Sequence, residues 1–166
     1  MPTKSAPAVM LFSLLCGTSA SAAGFTVTLS PTDPALRCGA GVTPTLSFGT
    51  PPSGTKALAI IFWDQQPSKL TGRWIVYDLP LSTKALAAGK VSLTAVAGGK
   101  AGVNEAGQQG YTAPCSAGRH DIYIDFYALK VASLGLPAGA PLQRVHAAIK
   151  ANKMLEAKAH VTLTIK

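Results

Sequence analysis

Charge is scarce in this sequence, acidic charge most of all. Seven Asp and Glu stand among 166 residues, and charged residues together make up 13%. With 48% hydrophobic residues, the chain lies outside the composition of disordered segments, which bury too little apolar surface to offset chain entropy. So few carboxylates leave no pair flanking a cleft, as glycoside hydrolysis would need. The Lys and Arg residues occur singly, without a basic run or interleaved aromatics. The formal charge of +8 therefore reads as a solvated basic surface that favours acidic partners, not as a nucleic-acid footprint. No Ser sits in a G-x-S-x-G elbow. His146 and His160 lack metal-ligand spacing to His120 or to a cysteine. Both are read as surface residues, and no metal or cofactor is expected. No apolar run is long enough for a permanent membrane anchor.

Cysteine is nearly lacking too, with three in the chain, and one of these lies in a segment with its own logic. MPTK carries one positive charge, APAVMLFSLL is apolar, and CGTSASAAG is small and polar. That is the layout of a secretory leader, with Ala20-Ser21-Ala22 as the A-x-A site and cleavage before Ala23. A lipoprotein signal ending at Cys16 fits less well, because Leu15 stands where a small residue is wanted. The expectation is a leader at 1–22 and a single domain at 23–166, periplasmic or secreted. Cys38 and Cys115 then remain, and in an exported chain they would form a disulfide. Closing that loop would stabilise the fold by roughly 4 kcal/mol on the chain-entropy account. The alternative is a reactive Cys115 thiolate, for which His120, close in sequence, could serve as base.

What remains is rich in strand patterns. Phe25, Val27 and Leu29 alternate with Thr26, Thr28 and Ser30, the mark of a half-buried strand. A Pro/Gly/Thr-rich loop follows, with a short strand at Leu46–Phe48. KALAIIFW reads as a strand buried on both faces and ending at Asp64. DQQPSKLTG reads as a turn, RWIVYDL as the next strand, STKALAAG as one helical turn and KVSLTAV as loop. DIYIDFYAL is a further strand. PLQRVHAAIKANKML is the one good helix, with Leu142, Val145, Ile149 and Leu155 near one stripe. AKAHVTLTIK closes the chain as a strand with one wet face. No repeat or linker divides it. The sum is mainly β, with packed sheets and one principal helix near the C-terminus.

Between these elements lies GVNEAGQQGYTAPCSAGRH, residues 102–120. Its glycines and proline exclude a helix or a central strand. This loop delivers His120 to the start of one strand, while Arg73 starts another and Asp64 ends a third. If the three strands are neighbours, Asp64, Arg73 and His120 converge beside glycine-rich backbone. Arg, His and backbone N–H groups form an anion-binding set, with Asp64 orienting the cations. The plainer alternative is a structural Asp64–Arg73 ion pair and a core histidine. Trp63, Trp74, Tyr123 and Tyr127 read as core or cleft wall.

Four stretches taken in order resemble the phosphatidylethanolamine-binding protein family, specifically its bacterial Raf-kinase-inhibitor-like branch. CGAGVTPTLSF is similar to the family's C-x-G-x-x-x-S-P-x-L-x-W. GTKALAIIFWDQQP stands where the family runs an apolar strand into Asp-Pro-Asp-Ala-Pro. RWIVYDLP matches His-Trp-Val-Val-Tyr-Asn-Ile-Pro. The 102–120 loop with FYAL after it matches G-x-N-x-x-G-x-x-G-Y-x-G-P-C-P-P…G-x-H-R-Y…Y-A-L. ANKMLEAKAHVTL also fits. The resemblance implies a large central β-sheet packed against a smaller sheet, with a C-terminal helix. It also implies a pocket for phosphate, acetate or a phospholipid head group, rimmed by that loop. Carried over, the ligand-binding residues are Asp64, Gln66, Arg73, Gly110, Pro114 and His120. The pocket departs from the family pattern. Gln66 replaces the second Asp, Arg73 replaces the His before Trp, Ala113 replaces a Gly, and Asp121 and Ile122 replace Arg and Tyr. Arg for His and Gln for Asp make the site more positive and favour anions over zwitterions.

The function expected is an exported, non-enzymatic binding protein for a small anion or a phosphorylated head group. A second reading is a protein-interaction module, since eukaryotic relatives inhibit kinases or proteases. A third, hydrolysis by Cys115 or His120, requires a free thiol or an open base. N-terminal sequencing of protein recovered from the periplasm should begin at Ala23 or Gly24. An intact Met1 on cytosolic protein would refute the leader.

Overall fold

The computed structural model describes residues 24–89 and 95–166. The expected leader lies outside them. The described chain forms β1 (Val27–Leu29), β2 (Leu46–Phe48), β3 (Ala57–Gln66), β4 (Lys69–Leu79), β5 (Ala85–Leu86), β6 (Ala95–Val96), β7 (Gly99–Ala101), β8 (Gly118–Leu129), α1 (Leu142–Asn152) and β9 (Lys153–Ile165). A six-stranded sheet runs in the order β6-β7-β4-β3-β8-β9, and a three-stranded sheet in the order β1-β2-β5. Every pairing between these strands is antiparallel. The fold is thus mainly β, two sheets with one helix near the C-terminus. No helix among the described residues is long and apolar enough to cross a membrane.

β3 is the centre of the large sheet, and its sequence explains why. Ala57 to Phe62 are all buried, as an unbroken apolar run requires when both faces are covered. Leu58, Ile60 and Phe62 face the small sheet and pack with Val27, Leu46 and Phe48. Ala57, Ala59 and Ile61 face the other way, against Leu142, Val145 and Ile149 of α1. Phe126 anchors the inter-sheet core, its ring stacked between Phe25 at 4.5 Å and Phe48 at 4.4 Å. On the helix side Gly72 is required by close approach. A Cβ there would lie 2.3 Å from Leu142 Cδ1.

Three sequence expectations are corrected. DQQPSKLTG is not a turn segment throughout. β3 and β4 continue through it as a hairpin, with only Pro67 and Ser68 at the tip. STKALAAG contains no helical turn, because Ala85 and Leu86 pair with Ser47 and Leu46 to close the small sheet. The helix stops at Asn152, and Lys153 is already extended. Met154 and Leu155 belong to β9, which pairs with β8 from Gly118↔Ile165 to Leu129↔Lys153. A long ladder with a half-buried face outweighs helix propensity, which is a weak preference even for good helix formers such as Met154 and Leu155. The expected KVSLTAV loop falls partly outside the described residues, and its last two form β6.

Phe126→Ala should cost roughly 3–5 kcal/mol in urea unfolding, the loss typical of a buried aromatic. Met154→Ala, at a side chain 43% exposed, should stay within about 0.5 kcal/mol of wild type.

Candidate functional site

β3, β4 and β8 are adjacent, so Asp64, Arg73 and His120 meet as expected. They do so inside the strands, not at their ends. Asp64 sits on the inner face of β3, level with Thr71 and Ile122. Arg73 reaches that face through a β-bulge. Phe62 pairs with Trp74 and Trp63 with Gly72, which leaves Arg73 as the extra residue on β4. A bulge re-aims the side chain it carries and frees its backbone from the ladder. Both consequences are visible here. The guanidinium turns to Asp64, while the Arg73 carbonyl accepts from Thr112 N–H at 3.0 Å and from Asn104 Nδ2 at 3.1 Å.

The three side chains form one buried ion network. Asp64 Oδ2 accepts from Arg73 Nε at 3.0 Å and Nη2 at 2.7 Å. Asp64 Oδ1 accepts from His120 Nδ1 at 2.7 Å. Asp64 and His120 are 0% exposed, and the Arg73 side chain 15%. His120 Nε2 donates to the Ser116 carbonyl at 2.8 Å. Each ring nitrogen thus faces an acceptor, one charged and one neutral. Arg73 Nη1 makes no protein hydrogen bond among the described residues, so one edge of the guanidinium is uncommitted.

Gln66 lies at the margin of the network. Its Nε2 donates to Ser116 Oγ at 2.8 Å and lies 3.3 Å from His120 Nδ1. Pro114 is buried in the same loop. Gly110 is placed differently. It adopts φ +103°, a conformation suited to glycine, and its N–H donates to the Gly102 carbonyl. That donor is spent within the loop. Gly110 therefore shapes the rim and does not present its amide to a ligand.

Two residues central to this arrangement carried no role in the sequence reading. Asn104, buried, ties the loop to itself and to β4. Its Nδ2 donates to the carbonyls of Gly110 and Arg73, and its Oδ1 accepts from the N–H groups of Ala106 and Gln108. Ser116 holds His120 through its carbonyl and Gln66 through its hydroxyl. The only trace of either in the sequence is the Asn of the glycine-punctuated stretch and its position before the histidine. Cys38 and Cys115 form the disulfide, which fastens the loop to the segment before β2 and leaves no thiol at 115. Between these two segments lies a cavity of about 360 Å³, walled by residues 39–42, 106 and 108, and by 111–113 with Cys115.

Tyr111 is buried and lines that cavity. Its hydroxyl donates to the Ala35 carbonyl at 2.9 Å, and its ring meets Phe62 and Trp74 edge-on. Burial, and then the nearby Asp33 carboxylate, raise its pKa above the ordinary phenol value. On the outer surface Asp121, which follows His120, is bonded by Arg119 and by Thr162. These bonds hold its carboxyl down at about 2. Arg119 is thus paired to its neighbour across one residue and does not join the buried network.

The sequence profile of the phosphatidylethanolamine-binding protein family matches residues 19–164. The UPF0098 protein of Aquifex aeolicus is 35% identical over 127 residues, covering 74% of this chain and 73% of that one. The UPF0098 protein of Chlamydia muridarum is 38% identical over 100 residues, covering 56% and 63% respectively. Among solved structures, a phosphatidylethanolamine-binding protein homolog from Chlamydia trachomatis superposes with a TM-score of 0.73 at 28% identity, covering 86% of this chain and 98% of that one. YbcL from E. coli gives 0.68 at 21% identity, covering 86% and 99%, a likeness of fold.

Asp64→Ala should lower unfolding stability by roughly 3–5 kcal/mol, because it leaves the Arg73 guanidinium without its counter-charge and His120 Nδ1 without its hydrogen-bond partner in a buried place. Arg73→Ala should cost less, since Asp64 keeps His120 and the lost guanidinium was partly in water. Chemical denaturation of the two variants checks the order.

Proposed function

The chain belongs to the phosphatidylethanolamine-binding protein family, and on that premise we propose an exported, non-enzymatic protein that binds a small anion or an anionic phosphorylated head group at Arg73. The observation that carries this reading is the uncommitted edge of the guanidinium. Asp64 takes Nε and Nη2, which fixes the plane of the group and leaves Nη1 at the partly exposed side. A guanidinium pinned on one edge loses little freedom when a phosphate or carboxylate docks on the other. The formal net charge of +8 adds a general attraction for anions.

The absence of catalysis is part of the proposal. The nucleophile considered for this site, Cys115, is bonded to Cys38. His120 is buried with both ring nitrogens engaged, so it reaches no substrate proton without rearrangement. Export rests on the leader pattern, and the Cys38–Cys115 disulfide fits an oxidising compartment.

Titration calorimetry with inorganic phosphate, phosphoethanolamine and glycerol phosphate tests the reading. Arg73→Ala should weaken each by roughly 1.5–3 kcal/mol, the worth of a hydrogen bond to a charged group. Phosphoethanolamine should bind no better than phosphate, because no acidic group is left unpaired in the network for its ammonium. If Arg73→Ala is folded and binds all three like wild type, the network is purely structural and the reading fails.

A further inference from the structure

The outer face of the large sheet is only half covered. α1 packs over Ala59, Ile61 and Tyr127, and its flank at His146 and Lys150 stops there. Beyond that flank the register sets Trp63, Tyr123 and His160 in one row across β3, β8 and β9. Tyr123 and His160 stack at 4.6 Å and 14°. Trp63 meets the His146 ring edge-on at 5.3 Å. His146 is thus a wall of this cleft, in contrast to the surface position expected from sequence. The cleft has a volume of about 530 Å³, with Trp63, Leu70, Tyr123, Tyr127, His146 and Lys150 among its lining residues. That is within the range of small-molecule sites. Leu70, on one wall, is 49% exposed.

We infer that this cleft is a second binding site, taking a small molecule with a flat aromatic body and a carboxylate. The aromatic preference follows from the Trp63 and Tyr123 rings, which are already held in place. Trp63 Nε1 donates to Asp125 at 2.8 Å, and Tyr123 is fixed by the His160 stack, so little rotamer freedom remains to be lost on binding. The charge preference follows from which groups are spent. Asp125 is buried and accepts from Trp63, Tyr127 and Lys158. Glu156 is paired with Lys153 and Lys158. Neither carboxylate is left for a cationic ligand or for a set of sugar hydroxyls. Lys150 is exposed at the mouth and has no ion-pair partner among the described residues. Burial, and then Lys150 itself, lower the pKa of His146, so at neutral pH the imidazole adds no charge and Lys150 supplies the surplus. The site is independent of Arg73, because Trp63 and Asp64 point to opposite faces of β3.

The test uses full-length mature protein, ¹⁵N-labelled, with 2-naphthoate and its uncharged analogue 2-naphthamide as probes. The chain has two tryptophans. Trp74 is fully buried on the inner face, and Trp63 lines the cleft. The Trp63 indole N–H signal, assigned by Trp63→Phe, should shift saturably with 2-naphthoate while that of Trp74 stays put. The amide should bind more weakly. Lys150→Glu, at an exposed helix position, should weaken 2-naphthoate about tenfold, as expected when a modest exposed attraction becomes a repulsion of similar size, and should leave the amide unchanged. Tyr123→Ala should weaken both probes. An unmoved Trp63 signal at the solubility limit of 2-naphthoate, equal binding of acid and amide, an indifferent Lys150→Glu, or displacement by inorganic phosphate would each overturn the inference.

Discussion

A carboxylate with no contact to water has to be paired, and Asp64 has none. It stands on the inner face of the central strand, where its neighbours Leu58, Ile60 and Phe62 are wholly apolar. An isolated ion there would cost several kcal/mol in lost hydration. The surrounding structure can be read as the means of meeting that demand. Arg73 arrives through a bulge in β4, and His120 from β8. Each carboxylate oxygen receives at least one donor. Such a network is weak evidence for net stability, since an apolar trio could pack as well. It does fix geometry, and fixed geometry is what a binding site needs.

The bulge has a second effect. It takes the Arg73 carbonyl out of the β-ladder and offers it to Thr112 and Asn104. The glycine-punctuated loop is thereby hung from the residue whose side chain pairs with Asp64. Asn104 organises one end of the loop, and the Cys38–Cys115 bond with the adjacent Ser116 fastens the end that holds His120. A loop held at these points approaches binding with most of its conformational entropy already lost. The same fastenings account for the closed state of Cys115 and for the engagement of both nitrogens of His120.

The large sheet places different chemistry on its two faces because side chains alternate along a strand. Asp64 and Trp63 are neighbours in sequence and lie on opposite sides of β3. The inner face carries the buried ion network and the packing against the small sheet. The outer face carries α1 and, where α1 ends, an aromatic floor whose carboxylates are already paired. One strand thus contributes Asp64 to a buried Asp–Arg–His network on one side and Trp63 to an aromatic cleft on the other, without either constraining the other's composition.

Several features were legible in the amino-acid order alone. The alternation of Phe25 to Ser30 and of the last strand marked half-buried strands, and the unbroken apolar run of 57–62 marked the doubly covered centre. Two cysteines outside the expected leader marked their own bridge. The set of Asp64, Arg73 and His120 could be named because charged residues are so few that those near strand boundaries stand out. What the order could not show is anything that depends on a partner strand. The hairpin through Gln66 and Lys69 looked like a turn because its polar residues pair across to one another. The first residues of β9 looked helical because the helix period runs on to Leu155, and only the ladder with β8 outweighs it. The bulge that turns Arg73 inward has no local signature, since one extra residue is defined only against the strand opposite. The outer cleft was hidden for the same reason. Trp63, Tyr123 and His160 are far apart in the chain, and it is register, a property of paired backbones, that sets them in one row.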